Sequence, residues 1–184
     1  GFTQSPTFNA GFAVAAGQTI DFNANRLTEV ADPTQAQDAA TKAYVDAVKS
    51  GLSVKDSVRV ASAAALAAST YSNGASGVGA TLTANANGAL TVDGVAVSTN
   101  DRILVKDQTD GAQNGVYKVT ATGGASATFV LTRSTDSDTG AELTGGTFVF
   151  TEEGTANADN GFVFTHSGAP TMGSTNLTIS QFSG

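Results

Sequence analysis

Residues able to do chemistry are few in this chain and widely scattered. A hydrolase needs a nucleophile beside a base, or an acid and a base facing one bond. His166, in "FTHSG", is the single imidazole. It falls at a strand end before a turn, with no acid, nucleophile or metal ligand at an informative spacing, and reads as an exposed hairpin histidine. Glu152 and Glu153 are adjacent, so in a strand they point to opposite faces and cannot flank a glycosidic bond together. "STDSDTG" sets Asp136 and Asp138 two apart in a polar loop. Alternating carboxylates suit Ca²⁺, which takes about six to eight oxygens, yet the EF-hand ligand order is missing and Gly140 is offset from the glycine that loop requires. Turn chemistry and capping of backbone N–H groups account for both aspartates. Asp107 with Asp110 is a weaker case of the same kind. The Gly-rich "SNGASGVGA" is not followed by the Lys-Ser/Thr of a phosphate loop, and no G-x-S-x-G occurs. The reading is no enzyme, with no catalytic, cofactor-binding or metal residue and no cofactor.

The composition points the same way. The chain has 184 residues, 40% of them hydrophobic and 14% charged, with 21 glycines, no Trp and no Cys. That profile suits short strands and tight turns better than a helical bundle. A net charge of -7 without a basic stripe disfavours nucleic acid as a partner. No apolar run is long enough to insert in a membrane, and the N-terminus lacks the basic start and apolar core of a signal peptide. The chain opens on Gly1, as a fragment or a processed product would. Only three tyrosines and no Trp argue against a sugar-stacking cleft.

Positioning such residues falls to short strands and one helix. "FAVAAGQTIDF" spaces Phe12 and Val14, then Ile20 and Phe22, two apart around Gly17, which predicts strand, turn, strand. Asp32 is a good N-cap and Pro33 suits the first helical position. Residues 34–49 contain neither Gly nor Pro, and Gly51 ends the run. The predicted helix spans about 33–49. Ala36, Ala40, Ala43 and Ala47, with Tyr44 and Val48, fall on one side of it. A helix this short needs that side covered, either by its own domain's sheet or by copies of itself in a parallel three-helix bundle.

From residue 52 onward the pattern is strands. Val58 and Val60 alternate, Asp93-Gly94 marks a hairpin, and "SAAALAAS" is one or two helical turns or an irregular connection. "ILVKDQTDGAQNGVYKV" and "FVFTEEGTANADNGFVF" each run strand, acidic loop, Asn-Gly, strand, and each is followed by a further strand, at 128–133 and 176–182. Two similar β-meanders are expected, with Asn-Gly supplying positive φ. The connections are short and no crossover helix separates them, so the sheet is expected to be antiparallel. Val58, Val60, Ile103, Val105, Val116, Val119, Phe148, Phe150, Phe162 and Phe164 are the expected inward residues.

"NRLTEVADPTQAQDAATKAYVDA" resembles a segment of tail-fibre and related virion proteins of tailed bacteriophages. The remainder, through "VDGVAVSTNDRILVKDQTDGAQNGVYKV", "LTRSTDSDTGAEL" and "GGTFVFTEEGTANADNGFVF" to "LTISQFSG", is similar to a structural module that often follows that segment. Together they cover roughly residues 19–184, and they bring no catalytic motif. The resemblance implies a homotrimer, with residues 1–50 forming an intertwined β stalk plus helix and 51–184 a compact antiparallel β-sandwich or barrel-like domain. It implies a trimer interface of Phe12, Ile20, Phe22, Leu27, Ala36, Ala40, Ala43, Tyr44, Ala47 and Val48. The expected role is a virion structural component, a fibre of tail, neck or capsid contributing to host attachment. Its partners are then itself, other phage structural proteins and a host cell-surface receptor. Two alternatives stand beside this: a receptor-binding tip for host surface glycan or protein, through loops near 72–88, 107–114 and 134–143, and a polysaccharide depolymerase.

Overall fold

A computed structural model describes residues 15–19, 23–25, 29–31, 33–35, 38–41 and 53–183. Contacts divide the chain into two units, Gly1–Val45 and Asp46–Gly184.

In the first unit the turn at Gly17 is present. Gln18 N–H donates to the Ala15 carbonyl at 3.2 Å, and Gly17 has φ +81°. The predicted helix needs correction where it is described, because residues 33–35 and 38–41 are not helical. The Asp38 carboxylate instead accepts from the Thr34 and Gln35 amides at 2.9 and 2.8 Å, closing a local turn. A short acidic side chain that captures backbone N–H groups in this way competes with helix formation. Those two amides hold the Asp38 carboxyl below its ordinary value. Residues 36, 37 and 42–49 of the predicted helix lie outside the described residues.

The second unit is almost entirely β. Its strands are β1 (Ser53–Val54), β2 (Val58–Ala61), β3 (Ser69–Ser72), β4 (Thr81–Ala84), β5 (Thr91–Val92), β6 (Val95–Ala96), β7 (Arg102–Val105), β8 (Gly115–Gly124), β9 (Ala127–Arg133), β10 (Thr147–Glu153), β11 (Gly161–Phe164) and β12 (Ile179–Ser183). One 3₁₀ turn, Gly111–Gln113, precedes β8. "SAAALAAS" is an irregular connection leading into β3.

Both meanders are found. β7, β8 and β9 pair antiparallel in sequence, as do β10, β11 and β12. The expected all-antiparallel domain is not. β2 lies between the leading strands of the meanders and pairs parallel with both, Val60 opposite Ile103 and Thr151 opposite Val58. β1 pairs parallel with β10 as well. The result is one mixed sheet in the order β12-β11-β10-β2-β7-β8-β9-β4-β3, rather than a purely antiparallel sandwich or barrel. Parallel neighbours need long crossovers. Here whole hairpins serve as the crossovers, which a search for crossover helices overlooks.

Two apolar clusters form the core. One gathers Val60, Leu82, Ile103, Val105, Tyr117, Val119, Phe129 and Leu131. The other gathers Val58, Leu104, Val116, Leu143, Val149, Phe162, Phe164 and Leu177. Eight of the ten expected inward residues are buried; Phe148 and Phe150 are not. On β10 the buried set is Thr147, Val149 and Thr151, so the alternation is inverted and the two phenylalanines face outward.

The Asp93-Gly94 hairpin joins β5 to β6 with φ +46° and +81°, the both-positive geometry of a type I′ turn. Its Asp93 carboxylate also accepts the Ala156 and Asn157 amides at 3.0 and 2.8 Å, fastening the loop after β10. The Asn-Gly pairs bear out the expected positive φ only once, at Gly115 with φ +142°. Asn114 caps the 3₁₀ turn in an extended conformation, and neither Asn160 nor Gly161 has positive φ. In that second loop Gly154 and Asp159 supply it.

Candidate functional site

Of the ten residues expected at a trimer interface, Phe12, Ile20, Phe22, Leu27, Ala36, Ala43, Tyr44, Ala47 and Val48 lie outside the described residues. Ala40 is described, non-helical and exposed.

The compact unit presents an interface candidate of its own. Val54, Phe150 and Phe182 are 65%, 39% and 66% exposed. Val54 and half-buried Val163 both stand opposite Phe148 in the sheet, and Phe182 meets Phe148 edge-on at 6.0 Å between ring centroids. These side chains come from β1, β10, β11 and β12, adjacent strands at one end of the sheet. The edge strand β12, "ISQFS", carries no charge or proline, the usual protections of an exposed edge. A contiguous apolar face beside an unprotected edge marks an association surface.

At the other meander, register aligns charged and polar residues in one row. Arg102 of β7 stands opposite Lys118 of β8, and Lys118 opposite Thr132 of β9. Asp136 receives the Arg102 guanidinium as a two-pronged fork at 2.8 and 2.6 Å. Burial works against ionisation of Asp136, but the Arg102 fork overrides it and holds the carboxyl below its ordinary value. The row floors a cleft of about 380 Å³. A second cleft, about 470 Å³, is walled by Ala63–Ala68 and by 84–93. Its one carboxylate, Asp93, is already occupied by loop amides.

No family model, curated protein or solved structure matches this chain. Its function must be read from the side chains themselves. The residues singled out for catalysis are dispersed. His166 is buried, contrary to its reading as an exposed hairpin residue; its Nε2 donates to the Leu143 carbonyl at 2.6 Å and its ring meets Phe164 edge-on. It is a packing residue that ties the β11–β12 connection to Leu143. Glu152 accepts from the Ser57 hydroxyl, and Glu153 pairs with Arg59, which also holds Asp101. Among the described residues no group of three or more His, Cys, Asp or Glu is placed to hold a metal. Asp136 and Asp138 in particular face different partners.

Asp138 faces Glu142. The Glu142 carboxylate accepts from the Asp138 and Thr139 amides and the Thr139 hydroxyl, at 3.2, 3.1 and 2.8 Å. Thr139-x-x-Glu142 is thus a capping signature that was legible in the sequence and passed over. Burial, then the neighbouring Glu142 charge, push Asp138 up. Burial also opposes ionisation of Glu142, but the Thr139 hydroxyl and the two amides outweigh it and bring it down. The two signs separate experimentally. Asp138 binds its proton more tightly folded than unfolded, so its ionisation removes stability as pH rises above the ordinary carboxylate value. Asp138→Asn is expected to raise the melting midpoint at pH 7, with the gain vanishing below pH ~4. Glu142 has the opposite linkage, so Glu142→Gln is expected to lower the midpoint at pH 7 and to matter less in acid. Thermal melts of both variants at several pH values give the answer; a destabilising Asp138→Asn at pH 7 would mean that its charge is used.

Proposed function

We propose that this chain is a structural module of a bacteriophage fibre that assembles as a homotrimer and contributes to host attachment. The observation that carries the assembly half is the apolar face of Val54, Phe148, Phe150 and Phe182 beside the uncharged edge of β12. A second copy of the chain is its natural occupant. Val54 follows the fibre-like segment 25–46 by eight residues, so association through that segment would raise the local concentration of the face. The virion half rests on the resemblance of residues 25–46 and of the module after them. The β-rich unit with two meanders is compatible with such a part, and the dispersed His166, Glu152 and Glu153 offer no catalytic constellation that favours a depolymerase.

Light scattering on the full chain is expected to give three times the 18.3 kDa chain mass. Tyr44→Asp should dissociate the trimer, because symmetry places three like charges against one another without water. A fragment of residues 52–184 should associate more weakly than the whole. An unmodified chain that stays monomeric at micromolar concentration would sink the proposal, and a tight trimer of 52–184 would move the clamp from the N-terminal segment to the apolar face.

A further inference from the structure

The cleft above Arg102 and Lys118 is built on an arrangement that the protein alone does not reward. Two cations directly opposite on adjacent antiparallel strands repel each other. One carboxylate, Asp136, answers them, and both its oxygens are committed to Arg102. Lys118 is exposed and, among the described residues, its ammonium makes no hydrogen bond or ion pair. The chain as a whole carries -7, with nine Lys and Arg in 184 residues. Two cations answered by a single carboxylate leave one positive charge over, at Lys118, a local positive site on an acidic surface.

The rest of the cleft supplies neutral hydrogen-bonding groups rather than carboxylates. Its rim holds Asn100 and Thr135, both exposed and with side chains free of protein partners among the described residues. Thr132 offers a hydroxyl next to that of Thr120, 2.6 Å away. Arg133 contributes only its backbone side, since its guanidinium is turned to Tyr117 and Tyr71. Arg102 is held rigid by Asp136 and by the Asp56 carbonyl, so little side-chain freedom is lost when a ligand arrives. A volume of about 380 Å³ lies at the lower end of small-ligand sites. No aromatic face lines it, which leaves charge and hydroxyl contacts to do the recognising.

We propose that this cleft binds an acidic sugar, with Lys118 and the outer N–H groups of Arg102 facing the sugar carboxylate and Asn100, Thr132 and Thr135 its hydroxyls. The site stands on the β7–β8–β9 row, so it does not depend on trimer formation and survives if the chain proves monomeric. It belongs with the attachment half of the function above, where it would contact acidic surface polysaccharide.

Calorimetric titration of the full chain at low ionic strength tests it with galacturonate, glucuronate and sialic acid oligosaccharides. The methyl ester of the same galacturonate oligomer and plain acetate serve as controls. At least one acidic oligosaccharide is expected to bind saturably, about tenfold or more tighter than the ester, with affinity falling as salt rises. Lys118→Gln should weaken it several-fold, and Lys118→Glu should abolish it without lowering the melting midpoint, since the side chain is exposed and the change removes the repulsion from Arg102. Absence of saturable binding across the three acidic sugars would overturn the proposal. So would equal binding of the methyl ester, or Lys118→Glu binding as well as the unmodified chain.

Discussion

Arg133→Ala is expected to destabilise the compact unit by about 3–5 kcal/mol, lowering its melting midpoint by roughly 10 °C. Arg133 is among the largest fully buried side chains, at 1% exposure. Its Nη1 donates to the Asn114 carbonyl at 3.0 Å, and its Nη2 to the hydroxyls of Tyr117 and Tyr71 and, at 3.4 Å, to the Ala112 carbonyl. The guanidinium also stacks over the Tyr117 ring at 4.8 Å. Both carbonyls belong to the 3₁₀ turn and its C-cap, where unsatisfied acceptors gather and a cation is favoured. Truncation would leave these acceptors buried without donors and open a cavity between β8 and β9. Arg133→Lys should lose most of the same stability, because one ammonium cannot reach a fan of acceptors spaced for a planar fork. Gly115→Ala is a second route to the same damage. Gly115 has φ +142°, and a Cβ there would collide with Arg133 Nη1. Urea titration reads all three variants. A loss below about 1 kcal/mol for Arg133→Ala would show that water replaces the guanidinium at little cost.

The sheet pattern was legible in the sequence because strands announce themselves locally. Asp93-Gly94 alone specifies a both-positive-φ turn, and the paired acidic-loop segments specify two meanders. Which strands pair across long stretches has no such local signal. Nothing in "VRVA" indicates that β2 would be flanked by parallel β7 and β10, because parallel register depends on contacts separated by tens of residues. The N-terminal half of the helix pattern was misleading for a related reason. Asp38 suits a helix interior by spacing, yet its carboxylate captures the Thr34 and Gln35 amides first. Candidate-site residues were the least legible. Arg102, Lys118 and Thr132 are far apart in sequence and ordinary one by one; only the register of β7, β8 and β9 makes them a row. Arg133 ended an alternating run and invited no notice, since alternation says which face a residue takes and not what polar groups wait there.

The inverted face of β10 yields the second large effect. Val149→Asp is expected to cost more than about 4 kcal/mol and to leave little folded protein, whereas Phe150→Asp should change stability by roughly 1 kcal/mol or less. Hydrophobic size alone would place Phe148 and Phe150 inside and Val149 outside. The register says otherwise: Val149 is 0% exposed in the cluster with Phe162, Phe164 and Leu143, while Phe150 is 39% exposed opposite Gly161. A carboxylate at 149 would sit among apolar side chains with no donor in that cluster, and it would neutralise or unfold the domain rather than remain ionised there. At 150 the same group faces outward, where any loss falls on association instead of folding. Urea titration therefore reads the first variant and light scattering the second. Because a one-residue slip exchanges the two faces of a strand, a harmless Val149→Asp with an unfolding Phe150→Asp would mean that β10 pairs with β2 and β11 one residue out of the register described. Unchanged assembly with a charge at 150 would leave the association surface to Val54, Phe148 and Phe182.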